Sequence, residues 1–162
     1  MPTVEEWISE SKDYTDDVVE LDEIKVTKIT PQLKTELEKF KAAKRLSMVA
    51  CDLKSFENFP ILEELEELDL TDNKIKGEEL RNIPLLAQLR ELSLSCNPIT
   101  NIQDIKTLTR FNKSLESLFL DESPLAKNNK NYRKDIFQMY ILSLYRIGGA
   151  LTNVDLEDRE GK

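Results

Sequence analysis

Carboxylates are the chemistry this sequence offers in quantity. Its 162 residues hold 31 Asp and Glu against 23 Lys and Arg, with no histidine and a formal net charge of −8. Without histidine, the usual general base and the usual zinc ligand are both missing. There is no P-loop or GxGxxG, and only Gly77, Gly148, Gly149 and Gly161 are available to a phosphate cradle. Glutamate pairs such as Glu63–Glu64 and Glu66–Glu67 read as solvated faces, because nothing in the sequence puts a cleft around them. The acids also lack the D-x-[DN]-x-[DN]-G spacing of a calcium loop. Cys51 and Cys96 sit in no CxxC or close cluster, and read as reduced, structural thiols of an intracellular protein. No catalysis, metal or cofactor is expected. What many carboxylates can do is steer and pair with a basic ligand, if the fold gathers them on one surface.

A repeat would gather them. The pattern L-x-x-L-x-L-x-x-N-x-L is clearest at Leu65, Leu68, Leu70, Asn73, Ile75 and again at Leu89, Leu92, Leu94, Asn97, Ile99. Weaker copies lie at Ala43, Leu46, Met48, Cys51, Leu53 and at Leu115, Leu118, Leu120, Ser123, Leu125. Leu21, Ile24, Val26, Ile29 looks like a degenerate first unit, and Leu151, Val154, Leu156 like a terminal one. Fourth-position residues Ile24, Leu46, Leu68, Leu92 and Leu118 are then 22, 22, 24 and 26 residues apart, within the range of about 20 to 29 for leucine-rich repeats. The expected fold is α/β: a leucine-rich-repeat solenoid with a curved parallel sheet on its concave side and helices on its convex side. It is one domain, with an N-terminal helical cap over 1–20, repeats over 21–125 and a C-terminal cap over 126–162.

Residues two apart on a strand share a face. With positions 4 and 6 inside, positions 3, 5, 7 and 8 line the concave face. The candidate protein-binding residues there are Glu67, Asp69, Asp72, Glu91, Ser93, Phe119, Asp121, Glu122, Asp155 and Glu157. Acid accumulates from the centre toward the C-terminal edge, and Phe119 adds an exposed aromatic. Asn73 and Asn97 are expected to bond backbone groups of their own and neighbouring turns, with Cys51 and Ser123 offering poorer versions. Return helices are expected around Phe56, Phe59, Leu62, then Leu80, Ile83, Leu86, then Ile102, Ile105, Leu108.

The ends must cover the apolar edges of the stack. TVEEWISE fits a helix with Thr3 as N-cap and Glu6 reaching back in a capping box, with Val4, Trp7 and Ile8 on one side. A second helix is expected from Tyr132 to about Tyr145 with Ile136, Phe137, Tyr140, Ile141 and Leu144 as its apolar stripe, closed by Gly148 and Gly149. The stretch LAKNNKNYRK, basic at Lys127, Lys130, Arg133 and Lys134, reads as a solvated loop opening that helix, with Asn131 as its cap; direct nucleic-acid binding is disfavoured. The start MPTVEEWISESKDYTDD is acidic where a secretory signal or mitochondrial presequence would be basic, and no apolar run is long enough to span a bilayer. A soluble monomer of cytosol or nucleus is expected.

ELEELDLTDNKIKGEEL followed by LRELSLSCNPITNIQDI, and the cap with NYRKDIF and LTNVDLEDREGK, resemble the acidic leucine-rich nuclear phosphoprotein family. That resemblance implies a right-handed curved solenoid, a nuclear location with shuttling to the cytoplasm, and binding to histones and other regulatory proteins. It also implies inhibition of histone acetylation or of protein phosphatase 2A, and roles in apoptosis or transcription control. Carried over, the histone-facing acids are Asp69, Asp72, Glu91, Asp121, Glu122 and Asp155. The family's long polyacidic tail has no counterpart up to Lys162, so the sequence is either a piece of a longer protein or a tail-less relative. LDESPLAKNNKNYRK is also similar to the spliceosomal A-prime proteins, which partner an RNA-binding subunit; this gives the alternative of a structural subunit in an RNA-processing particle. GEEL at Gly77–Leu80 and the acidic concavity favour the phosphoprotein family.

Overall fold

The structure, a computed structural model, describes residues 3–10, 15–111 and 113–147, with side chains through residue 140. Five three-residue strands form one parallel sheet in chain order: β1 (Val18–Glu20), β2 (Arg45–Ser47), β3 (Glu67–Asp69), β4 (Glu91–Ser93) and β5 (Ser117–Phe119). The register aligns Val19, Leu46, Leu68, Leu92 and Leu118 at the central position. The leucines at positions 1, 4 and 6 of the two clearest units, and the isoleucines at position 11, are buried in one continuous core.

The first unit differs from the sequence expectation. Val19 pairs with Leu46, so Val19, Leu21, Ile24 and Val26 occupy positions 4, 6, 9 and 11, five residues earlier than the expected register. The stretch 1–20 read as a cap therefore contains the first strand. All four residues are buried, so apolarity alone could not choose between the two registers.

Asparagine holds adjacent coils together. Asn73 Nδ2 donates to the carbonyls of Met48, Leu70 and Thr71 at 2.7, 3.0 and 3.2 Å, and its Oδ1 accepts from the backbone N–H of Cys51 and Leu53 at 3.2 and 2.8 Å. Asn97 repeats this one coil on, donating to Leu70, Leu94 and Ser95 and accepting from Ile75. Cys51, at the same position one coil earlier, makes a weaker version of this contact, its Sγ–H donating to the Leu21 carbonyl at 3.1 Å. Ser123 does something else: its Oγ accepts from Ala126 N–H and caps α4 (Pro124–Asn128). The residue before each asparagine-type position, Glu23, Ala50, Asp72, Cys96 or Glu122, takes a positive φ between 56° and 62°, so every coil turns in the same way.

Return segments change form with the number of residues available. Between β2 and β3 the spacing is 22 residues and no helix forms; Phe56 and Phe59 fill the space edge to face, 5.3 Å between centroids. Between β3 and β4 there are 24, and GEELRN winds into a 3₁₀ helix, Gly77–Asn82. Between β4 and β5 there are 26, giving α3 (Ile102–Ile105) followed by a 3₁₀ helix, Lys106–Phe111. The 27 residues from Val19 to Leu46 contain α2 (Pro31–Leu37), capped by Thr30. A helix advances about 1.5–2 Å per residue against about 3.3 Å for extended chain, so a longer return over a similar span must wind more. The expected helix at Phe56–Leu62 is absent for that reason.

At the N-terminal end the helix and its capping box form as the sequence suggests. In α1 (Val4–Glu10), Thr3 Oγ1 accepts from Glu6 N–H and Glu6 Oε2 accepts from Thr3 N–H. Trp7 packs on Phe40, ring centroids 6.0 Å apart, and its indole N–H donates to the Glu20 carbonyl at 2.8 Å, covering part of the open edge of β1. At the other end α5 (Tyr132–Ile147) buries Ile136 and Tyr140 while leaving Phe137 exposed. The rest of its expected stripe, the glycines that follow and the terminal unit at Leu151–Leu156 lie outside the described side chains.

Candidate protein-interaction face

The pleat sends the residues flanking each central leucine to the opposite side of the sheet from the core. The register orders them into two rows. One runs Val18, Arg45, Glu67, Glu91, Ser117 and the other Glu20, Ser47, Asp69, Ser93, Phe119. Just beyond the strands follow Asp22, Val49, Thr71, Ser95 and Asp121, and then the positive-φ residues. Glu67, Asp69, Glu91 and Phe119 thus share one face, as expected, with Asp72, Asp121 and Glu122 along its rim. Asp155 and Glu157 lie outside the described residues.

The centre of the face carries unbalanced negative charge. Glu67 and Glu91 are direct neighbours on β3 and β4, about 5 Å apart as adjacent strands are, with Asp69 beside them. Arg45, the one cation in the two rows, pairs with Glu67 at 3.2 Å. Among the described residues the Glu91 carboxylate has no ion pair or hydrogen bond, although its backbone N–H donates to the Glu66 carbonyl at 2.9 Å. Its carboxyl is held above the ordinary value, first by desolvation and then by Glu67 and Asp69, with Arg45 pulling the other way. Apolar side chains flank this centre: Val18 is 44% exposed at one end and Phe119 41% at the other.

Several expectations about the face change. Ser93 is buried and shares a 2.7 Å hydrogen bond with the Thr71 hydroxyl, so it ties two coils together instead of facing a ligand. Asp69 accepts from Thr71 N–H at 3.0 Å, which fixes its rotamer. At the C-terminal rim the acids are countered by the chain's own cations, Asp121 by Arg133 at 3.2 Å and Glu122 by Lys127 at 2.9 Å. The gradient toward that edge is therefore weaker than residue types suggest. Glu20, Asp22 and Glu23 join the face at its other end, missed because the first unit was placed five residues late. The signal was the pair Val18–Val19 followed by alternating polar and apolar residues. Asp22 is tied down, its Oδ1 accepting from Ser47 Oγ at 2.6 Å and Val49 N–H at 2.9 Å.

A second row, unforeseen, borders the N-terminal ends of the strands. Lys44, Glu66, Arg90 and Glu116 alternate in sign from coil to coil. Arg90 bridges Glu66 at 3.7 Å and Glu116 at 3.0 Å. Cys51 is buried and its thiol is pushed up to about 12 by desolvation and then by Asp22, so it stays protonated and inert. Cys96 is exposed and also free. Among the described residues no group of three or more His, Cys, Asp or Glu is placed to hold a metal, and no helix is long and apolar enough to cross a membrane.

With this geometry in hand, comparison with known proteins identifies the architecture. No family model matches the chain. Among solved structures, the chain superposes on the Drosophila melanogaster SNF/U2A′ complex with a TM-score of 0.65 at 24% identity, covering 87% of this chain and 80% of the other. The fold is a leucine-rich-repeat solenoid. The leiomodin-1 actin-binding site 2 (TM-score 0.56, 14% identity, 91% and 94% covered) and the Caenorhabditis elegans tropomodulin C-terminal domain (0.53, 13%, 83% and 88%) share the architecture more loosely. In sequence, the solenoid is similar to two curated proteins. One is an acidic leucine-rich nuclear phosphoprotein 32-related protein of Plasmodium falciparum, 32% identical over 120 residues, 73% of this chain and 42% of that protein. The other is a histone of Tetrahymena thermophila, the Y form of histone 2A, 29% identical over 140 residues, 86% of this chain and 36% of that protein. The chain spans less than half the length of either relative.

Proposed function

We propose that this domain is a non-catalytic protein-interaction module of the nucleus, whose sheet face binds basic segments of chromatin proteins, histones first. The observation that carries it is the register that sets Glu67, Asp69 and Glu91 side by side with a single cation among them and an exposed aromatic one strand away. Such a field attracts Lys and Arg side chains, and Glu91, which holds no cation among the described residues, is where an added one is most favoured. The relatives support the same direction. One is named a nuclear phosphoprotein, and in the other the similar segment belongs to a polypeptide that is itself named a histone. Inhibition of protein phosphatase 2A, implied by the resemblance to the acidic leucine-rich nuclear phosphoproteins, is a further part of the proposal.

Titration of the domain with the two kinds of core-histone assembly, the heterodimer and the tetramer, at several salt concentrations tests the reading. Affinity is expected to fall steeply with salt, and Glu67→Gln with Glu91→Gln to weaken binding by about tenfold, as loss of a close charge pair does. Absence of binding at low salt, or indifference to these substitutions, overturns the proposal. A second reading follows from the superposition on the SNF/U2A′ complex: a fixed structural subunit holding an RNA-recognition protein through Phe119 and the sheet edge. Stable, salt-resistant co-purification with such a protein, lost in Phe119→Ala, would favour it.

A further inference from the structure

Two acids on the rim of the face are held by cations that the chain itself supplies. Asp121 Oδ1 accepts from Arg133 Nη2 at 3.2 Å and from the Tyr132 hydroxyl at 3.3 Å. Arg133 Nε donates to that same hydroxyl at 3.1 Å, and the guanidinium lies 5.8 Å from the Tyr132 ring centroid. Next along the rim, Glu122 Oε2 is 2.9 Å from Lys127 Nζ. Both cations belong to the basic stretch after β5, which folds back on the acids instead of standing free in solvent. The centre of the face is built differently: Arg45 lies on Glu67 only, and Glu91 holds no cation among the described residues.

We infer that Lys127 and Arg133 form an autoinhibitory clamp, two tethered cations that compete with a partner's Lys and Arg side chains for Asp121 and Glu122. This rests on the reading of the face as a site for basic segments. Tethering gives the clamp a high effective concentration without new contact area. Exposed ion pairs are individually weak, so a ligand carrying several clustered cations displaces the clamp, whereas one with a single cation is confined to Glu67, Asp69 and Glu91. Tyr132 anchors Arg133, whereas among the described residues nothing comparable holds Lys127, so Lys127 yields first. The clamp therefore sets a threshold in the partner's charge density.

Calorimetric titration of the 162-residue chain with a deca-lysine peptide at low salt tests the clamp. Lys127→Gln with Arg133→Gln is expected to tighten binding about fivefold, the sum of two exposed competing pairs. The control Lys76→Gln with Arg81→Gln, which removes the same charge from the exposed side of the Gly77–Asn82 helix, is expected to change it less than about twofold, since it acts only through the screened overall field. Adding Asp121→Asn and Glu122→Gln to the clamp variant should abolish the gain. If the double variant does not fold, as thermal melting would show, Lys127→Gln alone serves, with a gain of about twofold. Unchanged or weaker binding by the clamp variants, or an equal gain in the control, overturns the clamp. If no variant binds deca-lysine, the underlying reading of the face fails. If wild type binds and Glu91→Gln weakens it while the clamp variants make no difference, the clamp alone fails.

Discussion

Glu91 stands where stability and binding pull in opposite directions. Its carboxyl is raised by desolvation and by Glu67 and Asp69, so the folded chain holds that proton more tightly than the unfolded one. At neutral pH both states are ionised there and the folded state bears the repulsion. As pH falls from the raised folded value to the ordinary unfolded one, the folded state takes up the proton first and stability rises; below that range nothing further is gained. Glu91→Gln is therefore expected to stabilise the domain at pH 7 by no more than about 0.5 kcal/mol, because the carboxyl is only partly removed from water and the repulsion is screened. The gain should vanish below about pH 4, the ordinary carboxylate range. Urea midpoints at about pH 7 and about pH 3.5, on either side of that range, check this, and a lower midpoint at neutral pH would contradict it. The same substitution weakens the proposed binding, a trade between stability and function common at sites. Gly77 is a residue of the opposite kind, required by space alone. A Cβ there would lie 2.9 Å from Asp104 Cβ and Cγ on α3, so the two return segments could no longer meet. Gly77→Ala should cost about 1–3 kcal/mol in urea melts, the usual range for overpacking. Asp104→Ala should recover part of the loss by removing the carboxyl group, and no recovery would mean that the crowding is not with Asp104.

The elements show why much of the fold was legible and part was not. Leucine and asparagine recur at spacings that only stacked coils use, so β2 to β5 and the inter-coil bonds of Asn73 and Asn97 follow from residue types. The first unit carries Ile24 at the asparagine-type position, with nothing polar there to mark the register, and alternating apolar residues fit two placements equally well. Return helices were overread around Phe56, where periodicity ignores how few residues must span the return. The face was legible as alternation along each strand, which places Glu67, Asp69 and Phe119 correctly. It was not legible where long-range approach decides: Arg133 reaching Asp121 from α5, Thr71 burying the Ser93 hydroxyl, or Arg110 donating to the carbonyls of Leu80, Arg81 and Ile83 at the end of the Gly77–Asn82 helix. The asparagine ladder itself can be graded. Asn73→Ala orphans two buried N–H groups and should cost at least about 2 kcal/mol. Cys51→Ala removes one small side chain with only weak sulfur hydrogen bonds and should cost about 1 kcal/mol. Equal losses in chemical denaturation would show that the position matters for packing and not for bonding.

At the scale of the whole molecule, each coil touches mainly its neighbours, so stability is a chain of nearest-neighbour terms closed by the two caps. The N-terminal cap is thin. It is a seven-residue helix too short to persist alone in water, and it is fixed to the stack through Trp7 on Phe40 and on the Glu20 carbonyl. Removing that indole exposes apolar surface and frees the edge of β1, while β4 and β5 keep every contact they had. Trp7→Ala should therefore act locally. Amide exchange is expected to accelerate by about tenfold or more across β1 and β2, through sub-global opening of the first coil, with protection at Leu92 and Leu94 falling much less. Acceleration shared equally by all five strands would mean that the solenoid opens only as a unit. The first coil, with Glu20, Asp22 and Glu23, would then be as rigid a part of the binding face as the centre, and ligand-induced ordering of that end would have no place in recognition.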